Sequence, residues 1–444
     1  MWAALLYFAD SIFFEATCLA TPFWYNAALS ILKPLYQWRI KKRALDTEQW
    51  QQECLERFGP FQEPKNLNAM WFHVVSVGET NAAQPLIEHY LKLGHPVLVT
   101  NTTKTGQARA KSLFLKAPYG SLFQAVYLPA DQKQLVRAFY QKYQPKVLIL
   151  VETEIWPNLI DQAQYFKVSC LLINARLSEK SAQGYAKVKG LTQGMLKGLD
   201  ALLAQNQATL QRYLNLGMPA RKSQVLGSIK FDISAPESVI QQAKQLKHAW
   251  NLSSRKVITL ASTHAPEEQK LLMALQPYLN QHPDIVVLVV PRHPERFDDV
   301  FQMIQALNLN VQRRSLDDPI QPTTQVYLAD SMGEMWLWYA LSQVCFVGGS
   351  LNEPGGGHNI LEPIALNVPT VLGKNYFNFQ TIVDEFVAVD GVTVVQDAEQ
   401  AAQVLMEILT DEHKVERLNI AAQQIMAKNT GSLVKHIAVI DQYL

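Results

Sequence analysis

The chain has 444 residues, with 40 Lys and Arg against 39 Asp and Glu, a net charge of +1 and 48% hydrophobic residues. At about 100–200 residues per domain this length holds two or three domains with cores of their own, and the apolar content excludes a disordered chain. The even charge balance speaks against a nucleic-acid partner, and four scattered cysteines (Cys18, Cys54, Cys170, Cys345) without a Cys-x-x-Cys pair exclude a disulfide framework or a cysteine-based zinc site.

The first element is the most apolar and aromatic part of the chain, residues 1–38, with Trp2, Phe13, Phe14, Phe23, Trp24, Tyr25 and Tyr36 among its aromatics. Its longest uncharged run, Ala16–Leu32, is at the short limit for a membrane-spanning helix and contains Pro22. The segment lacks a basic start and a cleavage site, so a removable signal peptide is not expected. The cluster Arg39-Ile-Lys-Lys-Arg43 follows it. Cations on that side hold the flank in the cytoplasm and attract anionic headgroups. A spanning anchor and an interfacial aromatic helix both fit, as does a helical hairpin buried in the first domain.

From Met70 the pattern changes to short β-branched runs separated by amphipathic stretches. Strands are predicted at Trp71–Val77, Pro96–Thr100, Ala125–Leu128, Lys146–Val151, Val168–Ile173 and Ala201–Ala204, with helices such as Ala82–Leu93 and Lys133–Tyr143 between them. The rhythm restarts after Gly227, with strands at Lys256–Ala261, Ile285–Val290, Val326–Leu328, Val344–Val347, Pro369–Leu372 and Val392–Val395, then helices over Ala401–Leu409 and Glu416–Leu444. Continuous apolar strands alternating with helices indicate parallel sheets covered on both faces. Two such sets predict an α/β chain of two Rossmann-like domains facing across a cleft, with ligands beyond the C-terminal ends of the strands.

The loops after those strands carry the candidate residues. Ser76-Val-Gly-Glu-Thr80 places Glu79 at a helix N-terminus, where Gly78 lets the backbone turn; an acid there either complements the helix dipole or takes a proton from a hydroxyl. Glu152-Thr-Glu-Ile-Trp-Pro-Asn158 puts two acids behind a fully apolar strand, before a proline suited to helix entry. Asn174-Ala-Arg-Leu-Ser178 adds an amide and a cation at the same rim, and Lys230 in Gly227–Asp232 lies at the junction, within reach of a developing negative charge. In the second half, Arg292 follows a strand and suits a phosphate, and Ser331-Met-Gly-Glu334 follows another. The glycine-rich Gly348–Pro363 is expected to bare backbone N–H groups to phosphate, with Glu362 accepting from sugar hydroxyls. There is no G-x-G-x-x-G after either first strand, no Walker A sequence, no His-Glu-x-x-His and no Asp-x-Asp, so nicotinamide, P-loop and metal chemistry are disfavoured.

Together these motifs, with Ser262-Thr-His264, Pro291–Phe297 and His358-Asn-Ile-Leu-Glu-Pro363, occur in an order and spacing that resembles the bacterial 3-deoxy-D-manno-octulosonic acid (Kdo) transferases of lipopolysaccharide assembly, from about Leu55 to the last helix. The resemblance implies a GT-B fold and an inverting glycosyltransferase that moves Kdo from CMP-Kdo to lipid IVA, releasing CMP, at the cytoplasmic face of the inner membrane. It implies an anchor over 1–38, an acceptor-binding domain over 39–228 and a CMP-Kdo-binding domain over 229–444, whose last helix packs back on the first. By motif, Glu79 is the general base, and Glu152 and Lys230 stabilise the transition state, with Glu154 the alternative second carboxylate. Pro291, Arg292, Met332, Gly333, Glu334, Asn359, Ile360, Leu361 and Glu362 match the CMP-binding segments. No metal or cofactor is implied. The glycine loop Asn352–Gly357 departs from the family pattern by one residue and by carrying Pro354. A nucleotide-sugar 2-epimerase of the same fold and a tethered two-lobed binding protein are the rival readings.

Overall fold

The computed structural model describes residues 21–44 and 46–444. Most of the apolar leader, with Trp2, Asp10, Phe13, Phe14, Glu15 and Cys18, lies outside them. The chain divides into two compact units, one reaching to Asp232 and including Thr430–Leu444, the other Ile233–Asn429.

The first unit is built on seven strands, β1 (Met70–His73), β2 (Val97–Asn101), β3 (Phe123–Tyr127), β4 (Val147–Val151), β5 (Ser169–Ala175), β6 (Ala201–Ala204) and β7 (Ser223–Val225). All pair in parallel, in the order β3-β2-β1-β4-β5-β6-β7. β4 shows why such strands read as unbroken apolar runs. Leu148 and Leu150 enter one core, whereas Val147, Ile149 and Val151 enter the core on the opposite face. The second unit repeats the plan with β8 (Lys256–Thr263), β9 (Ile285–Pro291), β10 (Val311–Arg313), β11 (Val326–Leu328), β12 (Val344–Val347), β13 (Thr370–Gly373) and β14 (Thr393–Val395), ordered β10-β11-β9-β8-β12-β13-β14. The strand order reverses direction between β1 and β4 in one sheet and between β8 and β12 in the other. Parallel sheets bind ligands at such switch points.

Four local features differ from the sequence reading. β1 stops at His73, and Val77, expected in the strand, is the first residue of the helix Val77–Lys92. Ser76 caps that helix by accepting from Glu79 N, while Glu79 Oε2 reaches back to accept from Val75 N, the residue before the cap, at 2.7 Å; together these bonds fix the start. Gly78 is an ordinary helical residue with room for a Cβ, so the turn does not depend on it. β7 and β10 were not expected, because each is a short, half-exposed edge strand without an apolar run. The last helix is two helices, Glu412–Asn429 and Ser432–Ile440, broken where Gly431 adopts φ +85°.

The helix Phe23–Arg43 runs unbroken past residue 38. Ile40 is buried, Tyr25 donates to Asp131 at 2.9 Å and Asn26 Oδ1 accepts from Asn158 Nδ2 at 3.0 Å, so one face docks on the first unit. Phe23, Trp24, Ile31, Leu32, Leu35 and Trp38 are exposed on the remainder. Among the described residues no helix is long and apolar enough to cross a membrane.

The helix Thr47–Phe58 is tied to β3 by buried charge. Arg57 pairs with Glu53 at 2.8 Å, donates to Thr102 O at 2.7 Å and lies over the Tyr127 ring, while Glu56 accepts from Tyr127 N and Gln107 Nε2. Removing one partner of a buried pair strands the other charge. Arg57→Met is therefore expected to destabilise the first unit by about 3–5 kcal/mol in denaturant unfolding, with the double variant Arg57→Met/Glu53→Leu less affected than the single.

Candidate active site

In the first unit the loops after β1, β4 and β5 and the turn at Ile229–Phe231 bring their polar residues together. Glu152 is the first residue beyond β4. It is 1% exposed and holds φ +65°, a left-handed conformation that costs a non-glycine residue energy. Its carboxylate is gripped from both sides, Arg176 Nε lying 2.6 Å from Oε2 and Lys230 Nζ 2.6 Å from Oε1. The Arg176 amide also donates to the Glu152 carbonyl. The two ion pairs offset the desolvation of the buried carboxylate, and the pair of cations is held at defined positions.

Glu79 is the member of the group whose proton affinity is shifted towards neutrality. Burial, then the like charge of Glu152, raises its carboxyl from 4.5 to about 7; the Val75 amide and Arg176 act in the opposite direction and do not cancel this. Oε2 is occupied by Val75 N, whereas Oε1 has only a long 3.4 Å contact with Ser76 Oγ. A carboxylate with one oxygen held, the other available and a pKa near neutrality is suited to accept a proton from a hydroxyl.

Glu154, the alternative second carboxylate, is turned to a different task. It accepts from Trp156 Nε1 at 2.9 Å, and its Oε2 lies 3.6 Å from Nε2 of the buried His73. Burial pushes its carboxyl up, but the contacts from His73, Trp156 and Thr153 outweigh this and hold it below the usual range. The geometry thus separates the two acids: Glu152 holds the cations, and Glu154 orients Trp156 at the entry of the helix Pro157–Tyr165.

The second unit gathers its residues around β8, β9 and β12. Pro291 ends β9, and Arg292 is exposed, with no hydrogen bond or ion pair from its guanidinium among the described residues. Nearby His264 and His358 meet Nε2 to Nε2 at 2.8 Å, a distance that needs one nitrogen protonated and the other not. Burial, then His264 and Arg292, lowers the His358 imidazole to about 4. Met332 is exposed, Gly333 takes φ +86°, and Glu334 is held by Arg314 through bonds of 2.9 and 3.1 Å. Asn359 Nδ2 donates to Glu362 Oε1 at 3.1 Å, and burial raises the Glu362 carboxyl. Ile360 and Leu361 are fully buried, so their side chains belong to the core.

The glycine-rich segment does not present bare N–H groups at its start. Glu267, 1% exposed, accepts from Gly349 N (2.8 Å), Ser350 N (3.2 Å) and Leu351 N (2.9 Å), and Gly357 N donates to Gly349 O. The chain's own carboxylate fills the nest that the glycine pattern suggests for an anion. A Cβ at Gly348 would lie 2.6 Å from Glu267 Oε2, which explains the glycine there. Among the described residues no cluster of three or more His, Cys, Asp or Glu is placed to hold a metal ion.

Comparison with known proteins gives this arrangement its family. The model described as 3-deoxy-D-manno-octulosonic-acid transferase (kdotransferase) matches residues 52–233. The 3-deoxy-D-manno-octulosonic acid transferase of Haemophilus influenzae is 34% identical over 428 residues, covering 95% of this chain and 98% of the relative. The chain belongs to the Kdo transferase family. The Bordetella pertussis transferase is likewise 34% identical, over 95% of this chain and 99% of that one. Among solved structures, the C-terminal CMP-Kdo binding domain of WaaA from Acinetobacter baumannii is 59% identical, covering 43% of this chain and 99% of that chain with a TM-score of 0.43. A glycosyltransferase from Rickettsia africae, 15% identical over 85% of this chain and 99% of that one at a TM-score of 0.52, shares the fold. The chain is accordingly a glycosyltransferase with the paired Rossmann-like units of the GT-B fold.

The raised carboxyl of Glu79 has a stability signature. Between pH 4.5 and about 7 the folded protein holds a proton there that the unfolded chain releases, so this residue's contribution to stability falls as pH rises through that window. The stability of wild type relative to Glu79→Gln should therefore drop between pH 5 and pH 8. Denaturant melts of both proteins at the two pH values measure this, and a constant difference contradicts the assignment.

Proposed function

We propose that this Kdo transferase of lipopolysaccharide biosynthesis takes Kdo from CMP-Kdo and places it on lipid IVA with inversion at the anomeric carbon. The observation that carries the reading is Glu79: a carboxylate at a sheet switch point, raised to about 7, with one oxygen free. Glu79 accepts the proton of the acceptor hydroxyl as that oxygen bonds to the anomeric carbon. The bond from this carbon to the phosphate oxygen breaks on the opposite side, and CMP leaves with the electron pair. Lys230 and Arg176, fixed by Glu152, offer positive charge to the transition state, and Arg292 with the segments Met332–Glu334 and Asn359–Glu362 holds CMP. One phosphate leaves, and protein cations suffice for its charge, so neither metal nor cofactor is invoked.

Attachment to the cytoplasmic face of the inner membrane is part of the same proposal. The exposed Phe23, Trp24, Ile31, Leu32, Leu35 and Trp38 offer an apolar surface beside Lys41, Lys42 and Arg43, the pattern of an interfacial helix near anionic headgroups.

Purified protein incubated with CMP-Kdo and lipid IVA should yield a Kdo-bearing lipid and CMP by mass spectrometry. Turnover of a UDP-sugar with no such product contradicts the reading. Glu79→Gln should lower transfer about 10²–10⁴-fold while CMP still binds. Arg292→Ala should weaken CMP binding measured by calorimetry and leave vesicle association unchanged.

A further inference from the structure

Glu152 can organise the site only if the two segments that bring it cations stay in place. Arg176 is the first residue after β5, and Lys230 sits on the single turn Ile229–Phe231. One residue ties these segments together. Asn174, fully buried and at φ +48°, lies two residues before Arg176, and its Oδ1 accepts from Ile229 N, the amide next to Lys230, at 3.2 Å. Its carbonyl accepts from Gln205 Nε2 at 2.8 Å. A side-chain acceptor from the other end of the sequence takes its amide: His436 Nε2, at 3.2 Å.

The tautomer of His436 follows from its partners. The Ser432 carbonyl, 2.7 Å from Nδ1, can only accept, so Nδ1 carries the proton and Nε2 presents its lone pair to the Asn174 N–H. Burial keeps the ring neutral, lowering its pKa to about 4 against the opposing pull of the Ser432 carbonyl and Asp232. The helix Ser432–Ile440 that carries His436 is fastened to the same turn. Asp232 accepts from Gly431 N and Leu433 N at 2.5 Å each, Ser432 Oγ donates to Leu226 O, and Tyr90 OH donates to Asp441 further along. The break at Gly431 is what lets the chain return to the first unit with His436 aimed at β5.

We infer that His436 is a positioning residue for sugar transfer, acting through Asn174 to hold Arg176 and Lys230 at the spacing that Glu152 bridges. This rests on the reading of Glu152 and Lys230 as transfer machinery. Without the Nε2 acceptor, the Asn174 amide is a buried donor with no partner, and its left-handed conformation loses one of its restraints. β5 and the Ile229–Phe231 turn then relax together, and the two cations move relative to Glu79.

Three variants test this. His436→Leu removes the acceptor, His436→Gln restores an acceptor near the Nε2 position, and Tyr90→Phe loosens the same helix without touching Asn174. In His436→Leu, kcat should fall about 10- to 100-fold with little change in KM for CMP-Kdo. His436→Gln should recover most of that loss, and Tyr90→Phe should lower Tm while keeping kcat. Amide exchange, which needs no substrate, should speed up at Asn174 and Ile229 in His436→Leu alone. Wild-type kcat in His436→Leu, an equal kcat loss in Tyr90→Phe, or unchanged exchange at Asn174 overturns the inference. If the wild-type protein itself fails to transfer Kdo, the functional reading fails instead, and the exchange result still decides whether His436 holds Asn174.

Discussion

The candidate site depends on one buried carboxylate. Glu152 emerges from the most apolar strand of the first sheet, in a backbone conformation unfavourable to it, and its buried carboxylate needs partners to replace the solvation it loses. Two cations do so, one on each oxygen. Because each cation belongs to a different loop, neutralising Glu152 also fixes the geometry of the site. Its negative charge has a second effect. It adds to the burial of Glu79 in disfavouring that residue's ionisation across the switch point, so a side chain that would ordinarily be ionised throughout the physiological range is poised near neutrality.

The second unit uses the same device for a different end. Glu267 is also a buried acid, but its partners are backbone amides of the loop after β12, and it fixes a stretch of glycine-rich chain that would otherwise be free to move. The anion-binding capacity suggested by the glycines is thus consumed internally. Among the described residues, the guanidinium of Arg292 is left without a hydrogen bond or ion pair nearby, whereas His264 and His358 bond to each other and burial lowers both imidazoles. A phosphate bound in this unit, as proposed, would be met by side chains more than by a backbone nest.

Much of this was legible in the sequence, for definite reasons. A strand buried on both faces has to be apolar at nearly every position, so β4 and β9 are visible in the sequence as Lys146–Val151 and Ile285–Val290, each within one residue of the observed strand, and the loops behind them follow. Edge strands β7 and β10 carry no such signal, since half-exposed positions tolerate Ser, Gln and Arg. The acids Glu79 and Glu152 stand out as polar residues after apolar runs, and the motif order named the family. Pairing was not legible. Nothing local distinguishes Glu152, which holds two cations, from Glu154, which serves Trp156 and His73; the difference arises where β1, β5 and the Ile229 turn meet. Glu267 resembles an ordinary acid in a helical first turn, and Arg314 an ordinary surface cation, until the fold brings each to its partner. His436 lies 262 positions from the amide it accepts. The helix break that delivers it had one visible sign, Gly431, within an otherwise continuous helical pattern.

The central claim is that Glu79 is the base and that burial, together with the charge of Glu152, raises its proton affinity. Site-resolved carbon NMR titration of the Glu79 carboxyl, in wild type and in Glu152→Gln, tests it most directly. The account predicts a midpoint of about 7 in wild type and a clear fall when the Glu152 charge is removed and its two cations are freed. A wild-type midpoint at the ordinary 4.5, or one that does not move in Glu152→Gln, would contradict it.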